Sequence, residues 1–307
     1  MKISVIIPVY NAEKYVKQAV LSALQFDEVY EVILVEDKSP DNALEVCKIL
    51  EKEHERVKLF LHHDKGNHGA GESRNLGIEK ASGDFIAFLD ADDYYLPNRF
   101  DVEKELFKNP EVEGVYGAIG VEYYSEKAKE QYYHLYKNDL TTVYKKQKPE
   151  DVFPGLIYLR GAFGMFSLDA LTIRKSSLQK LDYLFLKNLR LHQDTEFINR
   201  MSFYLQLHYG SIEKAVSMRG VHEENRITTV ESKKVKPAKT KVILWRELFH
   251  WAKAEPKMPK NYLRQIKNFK NSFEIANASS FSKLFLFLKY FVSDYLIIKG
   301  VFRRNYL

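Results

Sequence analysis

Three carboxylates follow one apolar stretch of the sequence almost without a break. The stretch runs from Phe85 to Leu89, and the acids are Asp90, Asp92 and Asp93. An apolar run of strand length that ends in packed acids predicts a buried strand leading into a site. Divalent cations such as Mg²⁺ and Mn²⁺ take carboxylate oxygens as ligands, so a bound cation would offset the repulsion between these acids. The alternative is a solvated Asp-rich turn or the N-cap of a helix.

Polar residues also follow three other apolar runs, in the segments 8–11, 36–41 and 67–75. Single residues in these segments have local explanations, since Gly69 would serve a turn and Arg74 would pair with a surface acid. If the four runs are parallel strands of one sheet, however, their carboxyl ends meet at the same edge. The sequence then predicts one crevice lined by all four loops.

Apolar runs and helical patterns alternate along the first hundred residues. This alternation predicts βαβ units, and so an α/β fold with a mixed, mostly parallel sheet flanked by helices. After Pro97 the pattern is weaker. The predicted strands are 3–9, 31–36, 57–62, 85–89, 112–119 and 168–173, and the predicted helices are 12–25, 42–55, 72–81 and 195–205.

The composition is that of a globular protein large enough to bury a core. Of 307 residues, 45% are hydrophobic and 29% are charged. The single cysteine, Cys47, excludes an internal disulfide and fits a reducing compartment. The N-terminal segment is too short and too strand-like for a signal peptide, and no stretch of about 20 residues is free of charge. We therefore expect a cytoplasmic protein without a membrane-spanning helix.

Charge is distributed unevenly along the chain. Residues 233–307 carry 17 Lys and Arg against four Asp and Glu, whereas the preceding residues have an acidic excess. A charged, Pro-containing stretch at 232–240 separates the two parts. We therefore predict a main domain over 1–231 and a basic, amphipathic helical extension over 232–307. The acidic body argues against nucleic acid as a partner, and the basic part is suited to anionic lipid.

Four segments carry a family resemblance in their order and spacing. They are SVIIPVYN, VEDKSPDN, GNHGAGESRNLGIEKASGD and FIAFLDADD, and a weaker match continues from His192 to Phe197. Together they resemble the inverting glycosyltransferases of family two, which have the GT-A fold. The resemblance implies that residues 1–231 form a GT-A catalytic domain that binds a nucleotide sugar. It also implies a requirement for Mn²⁺ or Mg²⁺.

The resemblance gives a role to most of the loop residues. Tyr10 would lie against the nucleobase, and Asp37 would accept a hydrogen bond from uracil. Asp90 would face the ribose and the metal, and Asp92 would bind the metal directly. Arg74 would add positive charge or orient the acidic loop. The other residues that we expect to contact the donor are Pro8, Asn11, Asn67, Gly69 and Ala91.

A further group of candidate residues lies later in the chain. In the family, an acid at the start of a helix takes the proton from the acceptor hydroxyl, and Asp194 matches it. Many relatives have Glu before this acid, where this chain has Gln193. The alternative for Asp194 is a helix N-cap without a chemical role. Relatives often carry a mobile loop after this helix, which makes His222 a candidate third metal ligand and Arg226 a candidate phosphate contact. The alternative for His222 is a solvated loop histidine.

The segment from Phe281 to Ile298 is apolar but interrupted by Lys289 and Asp294, and Lys299 follows it. Two interpretations stay open. One is a peripheral contact through 281–302 with the inner face of the cytoplasmic membrane, which the basic excess favours. The other is a helix that packs on the main domain or in a homodimer.

Together these observations predict a metal-dependent inverting glycosyltransferase. It would move a hexosyl or N-acetylhexosaminyl group from a nucleotide sugar, expected to be a UDP-sugar, to a glycan or lipid-linked glycan acceptor in bacterial surface-polysaccharide synthesis. One alternative transfers sugar to a polyprenyl phosphate, which needs no strong base. Another binds nucleotide sugars without turnover. A nicotinamide dehydrogenase is disfavoured because the Gly66–Gly71 loop lacks the G-x-G-x-x-G spacing.

Overall fold

A computed structural model describes residues 1–136, 139–187, 189–223 and 237–294 of the chain. A sheet of seven strands, in the order β3-β2-β1-β4-β8-β6-β9, forms its centre, and a second sheet has the order β5-β10-β7. The strands are β1 (Ile3–Val9), β2 (Val29–Glu36), β3 (Val57–Leu61), β4 (Phe85–Phe88), β5 (Tyr94–Tyr95), β6 (Gly114–Tyr116), β7 (Ala118–Tyr123), β8 (Leu171–Arg174), β9 (Leu207–Tyr209) and β10 (Ala215–Val221). The helices are α1 (Val16–Leu24), α2 (Ala43–Glu53), α3 (Ala70–Lys80), α4 (Asp101–Leu106), α5 (Glu126–Tyr132), α6 (Pro149–Leu156), α7 (Gln193–Tyr204), α8 (Pro237–Ala254), α9 (Lys260–Asn277) and α10 (Ser280–Ser293).

The large sheet is mixed and mostly parallel. β1 pairs in parallel with β2 and β4, β2 with β3, and β6 with β9, whereas β8 is antiparallel to β4 and β6. Successive residues of β1 point to opposite faces of the sheet. Val5 and Ile7 pack with α1 and α2, and Ile6 packs with Ile78 of α3 and Phe197 of α7. The predicted α/β fold with helices on both faces is therefore confirmed.

The proline in β1 marks where the crevice opens. Pro8 lies in register with Val35 of β2, so it occupies a central strand, where proline is unusual. The N–H of Leu89 donates to the carbonyl of Ile6 at 3.1 Å, which places the backbone groups of Ile6, and by alternation those of Pro8, on the β4 side. Proline has no backbone N–H to donate on that side. Because β4 ends at Phe88, the strand offers no carbonyl opposite Pro8 that would be left without a donor. Strands β1 and β4 therefore separate beyond this point.

Two predicted strands are wrong in detail. The stretch predicted over 112–119 contains parts of β6 and β7, which belong to different sheets and are divided at Gly117. A Cβ atom on Gly117 would lie 2.9 Å from the carbonyl oxygen of Ser211, so this crossing needs glycine. The stretch predicted over 168–173 begins instead as a short 3-10 helix at Leu168–Ala170, because the Ser167 hydroxyl accepts the N–H of Asp169.

The C-terminal part is helical. Helices α8 and α9 build an apolar cluster with α6, in which Trp245, Leu248 and Trp251 are buried beside Phe153. The predicted boundary at 232–240 lies largely outside the described residues, and the division at residue 231 stays a prediction. Within the described ranges, the longer helices are not apolar enough to cross a bilayer and the apolar α10 is not long enough.

Candidate active site

The loop after β2 holds the loop before α3 through one carboxylate. Asp37 is only 2% exposed, and its two oxygens accept the N–H groups of His68 at 2.6 Å and Gly69 at 2.7 Å. The Asn67 side-chain amide donates to the Asp37 carbonyl at 2.8 Å. Each carboxylate oxygen keeps a second lone pair, so these bonds leave acceptor capacity for a ligand. Asp37 therefore shapes this pocket, and its contact with a base stays a prediction.

The loop after β1 places an aromatic ring at the mouth of the crevice. Tyr10 is 45% exposed, although aromatic residues of this size are usually largely buried. Asn11 has a positive φ of 53°, and its N–H donates to the Ser39 hydroxyl at 3.2 Å. This bond fixes the first loop to the second. The Tyr10 ring is thus open to a flat ligand, as its predicted role requires.

The acidic loop after β4 is tied to α3 and to β8. Arg74 is buried in α3 and forms an ion pair with Asp90. The Asp90 N–H donates to a carboxylate oxygen of Asp169 at 2.9 Å. Among the described residues, the buried Nε of Arg74 has no hydrogen-bond partner. The local alternative for Arg74 was an ion pair with a surface acid; its partner is Asp90, whose side chain is 44% exposed, and the role of Arg74 stays a prediction.

Asp169 is a site residue that the sequence interpretation missed. It is 1% exposed, and carboxylate oxygens of Asp90, Asp93 and Asp169 lie within 4.8 Å of one another. Burial raises the pKa of Asp93 well above its ordinary value, and the neighbouring carboxylates raise it further. Burial also raises the pKa of Asp169, and the Asp90 carboxylate adds to this effect. The sequence signal that could have identified it is a lone acid inside the apolar run 168–173.

The second acid of the loop faces β10. The Asp92 carboxylate lies 3.2 Å from Nε2 of His222, and the His222 ring stacks on Tyr15 with centroids 4.6 Å apart. The Tyr124 hydroxyl donates to the Asp92 carbonyl at 2.9 Å. A Cβ atom on Gly220 would lie 2.1 Å from that carbonyl, so glycine is needed for this close approach. The structure thus brings His222 to the acidic loop, as a third ligand would require.

Helix α7 carries the candidate base. Its N-cap residue is His192, with φ 60° and no side-chain capping bond, so Asp194 lies in the first turn and is not the N-cap. The Asp194 carboxylate accepts the N–H of Thr195 at 2.8 Å and remains partly exposed. Its role as the base stays a prediction. Arg226, the candidate phosphate contact, lies outside the described residues.

A buried hydrogen bond connects α7 to α3. The N–H of Gly71 donates to the side-chain carbonyl of Gln193 at 2.7 Å. A Cβ atom on Gly71 would lie 2.4 Å from the same oxygen, so the contact depends on glycine. The residue before Asp194 is thereby fixed to the helix that carries Arg74.

Comparison with known proteins gives a family and a fold. The family described as Glycosyl transferase family 2 matches residues 4–171. An uncharacterized glycosyltransferase of Haemophilus influenzae is 44% identical over 105 residues, which make up 34% of this chain and 40% of that protein. The similarity to the curated relatives covers two fifths of their length or less.

Two solved structures share the architecture. TarS 1–349 of S. aureus, in complex with UDP-GlcNAc, has a TM-score of 0.64 at 18% identity, covering 91% of this chain and 74% of that one. The mannosyltransferase PcManGT of Pyrobaculum calidifontis, in complex with GDP-Man and Mn²⁺, has a TM-score of 0.54 at 14% identity, covering 95% and 80%. At these identities the two structures establish the GT-A fold of this chain.

Proposed function

The chain belongs to Glycosyl transferase family 2, and we propose that it transfers a sugar from a nucleotide-sugar donor to an acceptor hydroxyl. One observation carries the proposal. Four loops meet at the carboxyl edge of one sheet, where carboxylate oxygens of Asp90, Asp93 and Asp169 lie within 4.8 Å of one another. The candidate base Asp194 stands on α7, which is bonded to the same loops through Gln193.

The donor that best fits the crevice is a UDP-sugar. The exposed Tyr10 ring offers a stacking surface, and the spare lone pairs of Asp37 can accept the N3–H of uracil. The UDP-GlcNAc complex of TarS supports this choice. The transferred group would be a hexose or an N-acetylhexosamine.

A divalent cation, Mn²⁺ or Mg²⁺, fits the residues present. Carboxylates and an imidazole suit these ions, and the oxygens of three carboxylates, Asp90, Asp93 and Asp169, lie within 4.8 Å of one another beside them. We assign Asp90, Asp92 and His222 as the residues that would hold the ion. When bound, it would offset the negative charge of the donor diphosphate. The Mn²⁺ in the PcManGT complex supports a divalent cation, and the choice of residues rests on this chain alone.

The chain's own residues would perform the transfer. Asp194 would take the proton from the acceptor hydroxyl as the hydroxyl oxygen attacks the anomeric carbon. The bond from that carbon to the diphosphate would break, the nucleoside diphosphate would leave, and this single displacement would invert the carbon. Arg74, held in the crevice by Asp90, would add positive charge near the diphosphate. The acceptor would be a glycan or lipid-linked glycan of a bacterial surface polysaccharide. The contact with the inner face of the membrane is a further proposal, and the C-terminal helices carry its argument.

The experiment is a nucleotide-release assay with a panel of UDP- and GDP-sugars and Mn²⁺, in which the acceptor is either a simple glycan or a polyprenyl phosphate. We expect at least one donor to give acceptor-dependent release. Asp92→Asn should abolish it, whereas Asp84→Asn, an exposed acid at the opposite end of the same strand, should not. Donor binding without release under any condition would identify a binding protein. Release only with polyprenyl phosphate would favour that acceptor and remove the need for a base.

A further inference from the structure

The outward face of α10 is apolar along its whole length. Its residues recur at the spacing of one helix stripe, and Phe281 is 92% exposed and Val292 87% exposed. A helix on the surface of a globular protein normally turns such a stripe toward the core. The stripe consists of Phe281, Leu284, Phe285, Leu288, Phe291 and Val292.

The inward side of α10 is held by polar contacts. Asp294, directly after the helix, forms an ion pair with Arg264 of α9 at 2.6 Å, and the Tyr290 hydroxyl donates to Glu274. Lys270 of α9 also lies over the Tyr290 ring, with its Nζ 5.6 Å from the ring centroid. These contacts fix the helix on α9 with its apolar stripe facing outward. The exposure of the stripe is therefore built into the packing of α9 and α10.

The surroundings of the stripe are basic. Residues 237–294 contain 11 Lys and Arg against four Asp and Glu. Two of the acids form ion pairs inside the protein, Glu274 with Arg246 and Asp294 with Arg264. A third, Glu255, accepts a hydrogen bond from Tyr204. On α10 itself Lys283 and Lys289 are exposed. The charge that this part of the protein presents to a partner is thus positive.

We propose that the α10 stripe docks on an anionic lipid bilayer, with the helix lying in the interface. The apolar face would contact the acyl chains, and the neighbouring lysines would contact the anionic head groups at the surface of the bilayer. A second copy of this chain is a poorer occupant, because it would bring a like-charged surface against the first. The 14 residues of α10 would extend about 21 Å, which suits a helix lying along the interface and not one crossing the bilayer.

The test is co-sedimentation of the full-length protein with vesicles. The wild type should bind phosphatidylglycerol/phosphatidylethanolamine vesicles, and more weakly at high salt. The variant L284E/F285E/L288E should lose binding by at least about 100-fold, since each of these side chains contributes roughly tenfold when buried in lipid. Ile49→Glu is the matched control, because Ile49 is an exposed apolar residue on α2, far from α10 in sequence. This variant should bind vesicles like the wild type.

A second variant separates the electrostatic part. K283Q/K289Q should weaken binding to the anionic vesicles by about fivefold for each lysine and leave binding to pure phosphatidylcholine unchanged. Equal binding of wild type and L284E/F285E/L288E would overturn the proposal. A second outcome would also overturn it: the wild type does not bind vesicles but forms a dimer in sedimentation equilibrium, and the L284E/F285E/L288E variant does not form that dimer. No donor or acceptor is present, so these outcomes are independent of the proposed transfer reaction.

Discussion

Buried carboxylates lie at both ends of the large sheet, but their pKa values are shifted in opposite directions. At the amino end, Glu31 of β2 accepts hydrogen bonds from Ser4 and Ser82, each at 2.6 Å, and pairs with Lys58. Burial acts to raise the pKa of Glu31, yet the bonds from Lys58, Ser4 and Ser82 lower it to about 2. At the carboxyl end, the pKa values of Asp93 and Asp169 are raised. A buried acid that is bonded to a lysine and two serines is structural, whereas buried acids that crowd against one another are suited to a ligand that brings positive charge.

The largest effect that this comparison predicts is at Asp194. Asp194→Asn keeps the shape and a hydrogen-bond acceptor but cannot take a proton, so turnover should fall by roughly 10²–10⁴-fold. Donor affinity and melting temperature should barely move, because the residue is partly exposed and is not the N-cap. Single-turnover rates and thermal melts check both. Near-normal turnover would leave the enzyme without an identified base.

At the other end, Glu31→Gln should affect stability alone. Because the folded pKa of about 2 lies below the ordinary glutamate value of 4.5, the unfolded chain binds more protons between these values, and stability falls as the pH drops through that range. Over that pH range the free energy of unfolding of the wild type should fall by up to about 3 kcal/mol more than that of the variant. At pH 7 the variant should be the less stable of the two. Denaturant unfolding at several pH values measures this. Parallel pH curves for the two proteins would refute the structural role.

Substitution of Asp37 should affect both ligand binding and stability. Asp37→Ala removes the acceptor of two loop N–H groups, so it should lower both UDP affinity and the free energy of unfolding by about 1–3 kcal/mol. Asp27→Ala, an exposed acid just before β2, is the control and should change neither. Calorimetry with UDP and denaturant unfolding are the measurements. A stability loss with unchanged UDP affinity would limit Asp37 to holding the loop.

The smallest predicted effect is at Gln193. Gln193→Ala should lower kcat by about tenfold, the value of one buried hydrogen bond, with little change in donor KM. Gln193→Glu should restore most of the loss, because a carboxylate can also accept the Gly71 N–H. Steady-state kinetics on both variants checks this. Equal losses in the two variants would contradict a positioning role.

The part of the crevice that β1 to β4 form was largely predictable from the sequence. Strands β1 to β4 are near-continuous apolar runs, and parallel pairing alone brings their polar loops to one edge. The loops after β2 and β4 then contain Asp37 and Asp90 where they were expected. Local pattern and topology agree in this region.

The opposite side was not predictable in the same way. Tyr124, Gly220 and His222 reach the acidic loop because β10 pairs with β5 and β7, which are distant in sequence. No local periodicity encodes such pairing. Asp169 was hidden inside an apolar run, and Asp194 was recognised only by resemblance, since an acid in the first turn of a helix is common for reasons of helix stability alone.

We propose that the carboxyl end of the sheet is a donor site completed by a divalent cation. Calorimetry of UDP binding, with Mn²⁺ and then with EDTA, tests it most directly. The wild type and Glu31→Gln should both bind UDP at least about tenfold more weakly in EDTA, and Asp92→Asn should bind weakly in either buffer. Equal UDP affinity with and without Mn²⁺ in the wild type would contradict the account.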